Sequence, residues 1–174
     1  MAEQENITNL SELGEFALID RLVKNVKIYN DSTLKAVGDD AAVIDHKDEQ
    51  TLVSVDILCE GVHFDMTYCP LKHLGYKAAV VNFSDIYAMN GTPTQIVVGL
   101  GISSKYSVEA IEEIYRGIRL ACDRYHVDLV GGDTTASKAG LFISVTVIGK
   151  AKKDDIVYRS GGKPNDLLCV RGDL

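Results

Sequence analysis

The spacing of apolar and polar positions divides the chain into helical and extended stretches. Between 11 and 28, Leu13, Phe16, Ile19, Leu22, Val23 and Val26 recur at helical intervals, predicting a helix with Ser11 as N-cap. Residues 41–45 and 51–58 read as strands on either side of the polar turn Lys47-Asp48-Glu49-Gln50. A second helix is predicted over 71–90, with Leu71, Leu74, Ala78, Val81 and Met89 on one stripe. A third is predicted over 107–125, with Ser107 as N-cap and Glu109 in the first turn, where the helix dipole favours an acid. Its stripe is Val108, Ile111, Tyr115, Ile118, Cys122 and Tyr125. Residues 95–102, 127–130, 141–148 and 167–171 read as further strands; in 141–148, Phe142, Ser144 and Thr146 alternate with Ile143, Val145 and Val147.

Strands and helices mix without a strict βαβ rhythm, which predicts an α+β fold: a mixed sheet of about four main strands with two long helices on one face. Alternation is imperfect in 95–102 and 141–148, so the second face is apolar too, and few elements remain to cover it. The expectation is that this face packs across a homodimer. In domain terms, 1–10 reads as a flexible N-terminus, 11–150 as the main domain, and 151–174 as a connecting segment. The stop at Gly172-Asp173-Leu174, directly after an apolar stretch, suggests a further domain beyond it.

Charge and composition narrow the field. The chain has 174 residues, with 18 Lys+Arg against 25 Asp+Glu and a net charge of −7. A nucleic-acid surface needs the opposite balance. The longest apolar runs are only a few residues, such as Ala78-Ala79-Val80-Val81, so no helix would span a bilayer. The start, Met1-Ala2-Glu3-Gln4-Glu5-Asn6, lacks the basic and apolar regions of a secretory signal. Cys59, Cys69, Cys122 and Cys169 are scattered, with no zinc-finger spacing. They read as free, mostly buried thiols of a cytoplasmic protein.

Four aspartate sites stand out. Gly38-Asp39-Asp40-Ala41-Ala42 puts two carboxylates at the mouth of a strand. In 51–57, alternation is expected to bury Val53, Val55 and Ile57 and to aim Ser54 and Asp56 together at the opposite face, about 7 Å apart. Asp85 falls four residues after Val81 and four before Met89, on an apolar stripe. Asp133 follows Gly131-Gly132 at the end of a strand, where glycines let the backbone approach something closely. Taken singly, each acid has an ordinary explanation as a turn, cap or edge residue. Together they point to metal, because an ionised carboxylate buried without a partner costs several kcal/mol. The candidate donors are all oxygens, so the expected ion is hard, Mg²⁺ before Ca²⁺ or Mn²⁺.

The signals for a phosphate ligand are weaker. No G-x-x-x-x-G-K-[ST], no G-x-G-x-x-G opening a helix and no G-x-S-x-G elbow occurs. Gly131-Gly132-Asp133-Thr134 and Arg159-Ser160-Gly161-Gly162-Lys163-Pro164 each read first as turns, although an Arg beside such a turn can fork onto phosphate. His63 by itself reads equally well as a partly buried structural histidine.

In chain order, Gly38-Asp39-Asp40-Ala41-Ala42, Ser54 to Phe64 with its Glu60-Gly61-Val62-His63-Phe64 end, Asn82-Phe83-Ser84-Asp85-Ile86-Tyr87-Ala88-Met89, Gly131-Gly132-Asp133-Thr134-Thr135 and Arg159-Ser160-Gly161 resemble the N-terminal half of thiamine-monophosphate kinase. That enzyme is similar to aminoimidazole ribonucleotide synthetase and selenophosphate synthetase. The resemblance runs from about Gly14 to the C-terminus. It implies Mg-dependent transfer of the ATP γ-phosphate to thiamine monophosphate, giving thiamine diphosphate. It implies several Mg²⁺ ions held by Asp40, Asp56, Asp85 and Asp133, helped by Ser54 and the main chain at Val55. It also implies a substrate-phosphate role for His63, and ATP contacts from Gly132, Asp133 and Arg159. Tyr115 matches a nucleotide-adjacent tyrosine, or equally packs into the core. The implied domain dimerises by closing two sheets into a β-barrel, and the half-length chain by itself is expected to be inactive or nearly so. Asn90-Gly91 and Cys59 depart from the usual pattern without removing an acid. Two other readings stay open: another ATP-dependent synthetase of the same superfamily, and an isolated non-catalytic nucleotide-binding dimerisation module. A selenium-using member would want a reactive Cys or Lys near the start, and residues 1–13 contain neither.

Overall fold

The chain forms β1 (Thr33–Lys35), β2 (Ala42–His46), β3 (Glu49–Cys59), α1 (Leu71–Ala88), β4 (Thr92–Ser103), α2 (Val108–Tyr125), β5 (Asp128–Ser137) and β6 (Phe142–Lys152), followed by a single 3-10 turn at Lys153–Asp155. This computed structural model describes residues 33–35, 39, 41–170 and 172. Two compact units are distinguished, Met1–Asp31 and Ser32–Leu174, and every described residue belongs to the second. The helix expected over 11–28, the flexible 1–10 segment and Asp40 lie outside the described residues.

The six strands make one mixed sheet in the order β1-β2-β3-β6-β4-β5. Every pairing is antiparallel except β4 with β5. β3 and β4 both run antiparallel to β6, so they run parallel to each other with β6 between them. β3-α1-β4 is thus a split βαβ unit, and β4-α2-β5 is a direct one. The β2–β3 hairpin turns where expected, with Lys47 at a positive φ of 72°.

Period-2 alternation decides the buried face. In β6, Ile143, Val145 and Val147 are fully buried beneath the helices, while Ser144, Thr146 and Ile148 face the other way. β4 contributes Ile96, Val98 and Leu100 to the same core, and α1 adds Leu74, Ala78, Ala79, Phe83 and Ile86. Burying each large aliphatic side chain contributes about 1.5–3 kcal/mol. The helices cross closely because each has a glycine at the contact. A Cβ at Gly75 would sit 1.9 Å from the Ile114 carbonyl oxygen, and one at Gly117 would sit 1.9 Å from that of Lys72.

Several expectations need correction. β3 buries Gln50, Leu52 and Leu58 against α1, so Ser54 and Asp56 lie on the helix-covered side. Val55 and Ile57, expected to be buried, are 55% and 54% exposed on the second face. The two sets do point oppositely, but α1 covers the other one. The α2 stripe is also rotated. Ile114, Gly117, Ile118, Ala121 and Cys122 are buried, whereas Val108 is 71% exposed. Ser107 does cap α2, accepting the Ala110 N–H at 3.3 Å. Residues 167–170 form no strand; Leu167 and Leu168 are solvent-exposed, because no neighbouring strand offers them a ladder. The four cysteines are free, but only Cys122 is buried; Cys169 is exposed and Cys59 and Cys69 are intermediate. Burial, with Asp123 and Asp128 adding to it, pushes the Cys122 thiol up to about 11.

Candidate functional site

The site is built where β3 runs on past the end of β2, still paired with β6, and α1 passes over it. The Ser54 hydroxyl donates to Asp85 Oδ2 at 2.6 Å, joining β3 to α1 across 31 residues. Two residues further along β3, the Asp56 N–H donates to Asn82 Oδ1 at 3.0 Å. Asn82 is fully buried, and its amide donates in turn to the Ala78 carbonyl at 2.9 Å. Helical spacing explains the pairing: Ala78, Asn82 and Asp85 fall on adjacent turns of α1, so 82 and 85 meet 56 and 54 in order. Asp85 lies at the edge of the buried stripe with half-buried Val81, not at its centre.

Beyond Asp56 the chain makes a tight turn. Gly61, at a φ of 78°, takes the left-handed position, and its N–H donates to the Phe64 carbonyl. The Cys59 N–H donates to His63 Nδ1 at 2.9 Å, and the His63 N–H donates to the Cys59 carbonyl. With Nδ1 accepting, neutral His63 carries its proton on Nε2. The Lys77 ammonium of α1 donates to the His63 carbonyl at 2.9 Å. Asp56, His63 and Lys77 line one hollow of about 320 Å³ with Ile57, Leu58 and Val81.

Glu60 anchors this turn. Its carboxylate accepts from Tyr106 Oη at 2.7 Å, from the Leu141 N–H at 2.8 Å and from Lys105 Nζ. Lys105 does most to hold the Glu60 carboxyl below the usual range; partial burial opposes it, and Tyr106 and the Leu141 amide reinforce it.

The remaining expected site residues are placed elsewhere. Asp133 lies within β5, because Gly131-Gly132-Asp133-Thr134-Thr135 is a strand and not a turn. Its glycines let β5 approach β4: a Cβ at Gly132 would sit 2.0 Å from the Val98 carbonyl oxygen. The pairings Ile57–Ser144, Ser144–Gly99 and Gly99–Asp133 place Asp133 on one row with Ile57, on the second face. It is three strand spacings, about 14 Å, from β3. It lines its own hollow of about 390 Å³ with Val97, Gly99, Gly132, Ser144 and Thr146. The expected single pocket is thus met only in part: Ser54 meets Asp85, Asp56 and His63 line one hollow, and Asp133 joins neither pair. Among the described residues no group of three or more His, Cys, Asp or Glu is arranged to hold an ion. The Arg159 N–H donates to Asp39 Oδ2 at 3.4 Å, which brings its loop to the stretch that precedes β2. Tyr115 is half-buried against the core.

Sequence reasoning misses Lys77, Asn82 and Glu60 as site residues. Asn82 carries a signal, a polar residue three positions before Asp85 on an apolar stripe. Lys77 and Glu60 carry none, since ordinary surface charges look the same in sequence.

Residues 38–151 match the family described as AIR synthase related protein, N-terminal domain. The chain is similar to thiamine-monophosphate kinase of Bacillus subtilis, at 39% identity over 93% of this chain and 50% of the relative. It is 35% identical to the thiamine-monophosphate kinase of Aquifex aeolicus, over 95% of this chain and 51% of that one. A solved structure, AaThiL complexed with AMPPCP and TMP, superposes with a TM-score of 0.80 at 32% identity, covering 91% of this chain and 48% of the other. The chain therefore spans about half the length of the curated relatives it matches.

Proposed function

The chain belongs to the AIR synthase related family through its N-terminal domain, and from that premise we propose that it is the N-terminal half of a thiamine-monophosphate kinase. The reaction is Mg-dependent transfer of the ATP γ-phosphate to thiamine monophosphate, giving thiamine diphosphate. One observation carries the reading: β3 and α1 are joined by the Ser54–Asp85 and Asp56 N–H–Asn82 hydrogen bonds, and Asp56 lines the hollow that contains His63.

The donor chemistry suits a hard cation, since hydroxyl, carboxylate and main-chain oxygens are present without thiolate or imidazole. We assign Asp40, Ser54, the main chain at Val55, Asp56 and Asp85 to hold Mg²⁺, with Asp133 serving a separate ion. A Mg²⁺ ion held by these residues would supply positive charge to offset what develops during transfer. His63 presents Nε2–H to the acceptor phosphate. Gly132, Asp133, Arg159 and Tyr115 are assigned to the nucleotide. An acceptor phosphate oxygen bonds to the γ-phosphorus as the bond to the β–γ bridging oxygen breaks, and ADP leaves with that electron pair. The attacking oxygen is already anionic, so positioning and charge compensation matter more than a general base.

The half-exposed Val55 and Ile57 on the second face support a homodimer in which two sheets close into a barrel; we assign the protein to the cytoplasm. Residues 11–150 are proposed as the ATP- and Mg-binding dimerisation domain, with 151–174 as a connecting segment. Full-length protein carrying this chain should form thiamine diphosphate from ATP and thiamine monophosphate. Asp85→Asn should abolish Mg-dependent ATP binding in calorimetry while the circular dichroism spectrum is unchanged; undiminished affinity would refute the metal assignment.

A further inference from the structure

We propose that Lys77 of α1 is the cation that binds the acceptor's phosphate, sharing it with His63. This rests on the kinase reading above and names a residue of that same site. The hollow lined by Asp56, Ile57, Leu58, His63, Lys77 and Val81 contains one lysine and no arginine. The Lys77 ammonium is exposed and spends one N–H on the His63 carbonyl at 2.9 Å. Among the described residues it forms no ion pair with a carboxylate, in contrast to Lys105, Arg116 and Lys150. An ammonium has three donors, so two remain for a ligand. His63 Nδ1 already accepts the Cys59 N–H, which leaves Nε2–H as a further donor of the same turn.

These donors suit a terminal phosphate with three acceptor oxygens. The contact between Lys77 and the His63 carbonyl also ties the two donors together, so the turn is positioned by the side chain that reads the ligand's charge. Leu58 and Val81 supply an apolar wall beside it. Asp56 also lines the hollow, and beside the ion assigned to it Lys77 adds a second positive charge that favours a phosphate here.

The test is steady-state kinetics on the full-length protein with Lys77→Met and Lys77→Arg. Lys77→Met should raise KM for thiamine monophosphate about tenfold to a hundredfold, as expected for a lost charge-assisted hydrogen bond. KM for ATP should stay within about twofold, and Lys77→Arg should recover most of the loss by keeping the charge. A thiamine monophosphate KM unchanged in Lys77→Met overturns the proposal. So does a Lys77→Arg variant as impaired as Lys77→Met, because Lys77 would then act by shape alone. If the wild type turns over no thiamine monophosphate, the kinase reading fails separately. Lys77 is then judged by calorimetric binding of thiamine monophosphate to wild type and Lys77→Met, and equal affinity again overturns the proposal.

Discussion

At the residue scale, Glu60 joins three segments that are far apart in sequence. Its carboxylate receives the Leu141 N–H across 81 residues and Tyr106 Oη across 46. Leu141 is buried, so removing the acceptor strands a backbone donor away from water. Glu60→Ala is expected to lower stability by about 1–3 kcal/mol, read as a reduced melting temperature. The pH dependence follows from the depressed carboxyl. A group whose folded pKa lies below its unfolded value stabilises above the unfolded value, about 4.3 for glutamate, and loses that contribution as pH falls through the folded one. Wild type should therefore lose stability below about pH 4 more steeply than Glu60→Gln. Equal acid profiles would show that the carboxylate's charge is not what holds the turn. His63 depends on this anchor too, because the turn that Glu60 holds is the one that presents its imidazole.

At the scale of elements, close approach is set by glycine. Gly117 meets the Lys72 carbonyl where α1 and α2 cross, and an added methyl would require the helices to move apart. Gly117→Ala should cost about 1–3 kcal/mol or more by overpacking. Gly162→Ala, whose new methyl would meet nothing within 4 Å, should be near neutral. Chemical denaturation of both variants checks the contrast. Gly132 does the equivalent work for the sheet, which explains why one segment reads wrongly in sequence: Gly131-Gly132-Asp133-Thr134-Thr135 carries turn chemistry but serves as strand, because its glycines admit β5 beside the Val98 carbonyl. The α2 stripe misleads for a related reason. Gly117 and Ala121 bear no large side chain to mark them, yet they lie at the buried contact, while Val108 at the first turn reaches past it.

At the scale of the whole molecule, the sheet has two unlike faces. One is covered by α1 and α2, and the other leaves Val55 and Ile57 half exposed beside Ser144, Thr146 and Ile148. The homodimer proposed for that face should appear in sedimentation as a dimer at micromolar concentration. Ile57→Lys, which puts a charge on that face, should give a monomer with an unchanged circular dichroism spectrum. A wild-type monomer would remove the barrel.

Local information reaches a definite depth in this protein. Period locates both described helices, with the Ser107 cap marking the start of α2, and it locates the cores of β2, β3, β4 and β6, because each depends only on neighbours a few residues away. The acids are legible only in part: Asp56 and Asp85 are half-buried on β3 and α1, whereas Asp133 lies exposed on β5, where its local pattern suggests otherwise. Tertiary structure alone decided which face of β3 lies under α1, and so which side carries Ser54 and Asp56. It alone paired Ser54 with Asp85, set Asp133 three strands away on the other face, and laid Lys77 against the His63 turn. Each of those outcomes depends on strand order and helix crossing, which arise from contacts between residues 14 to more than 80 positions apart, and no spacing within a single element encodes them.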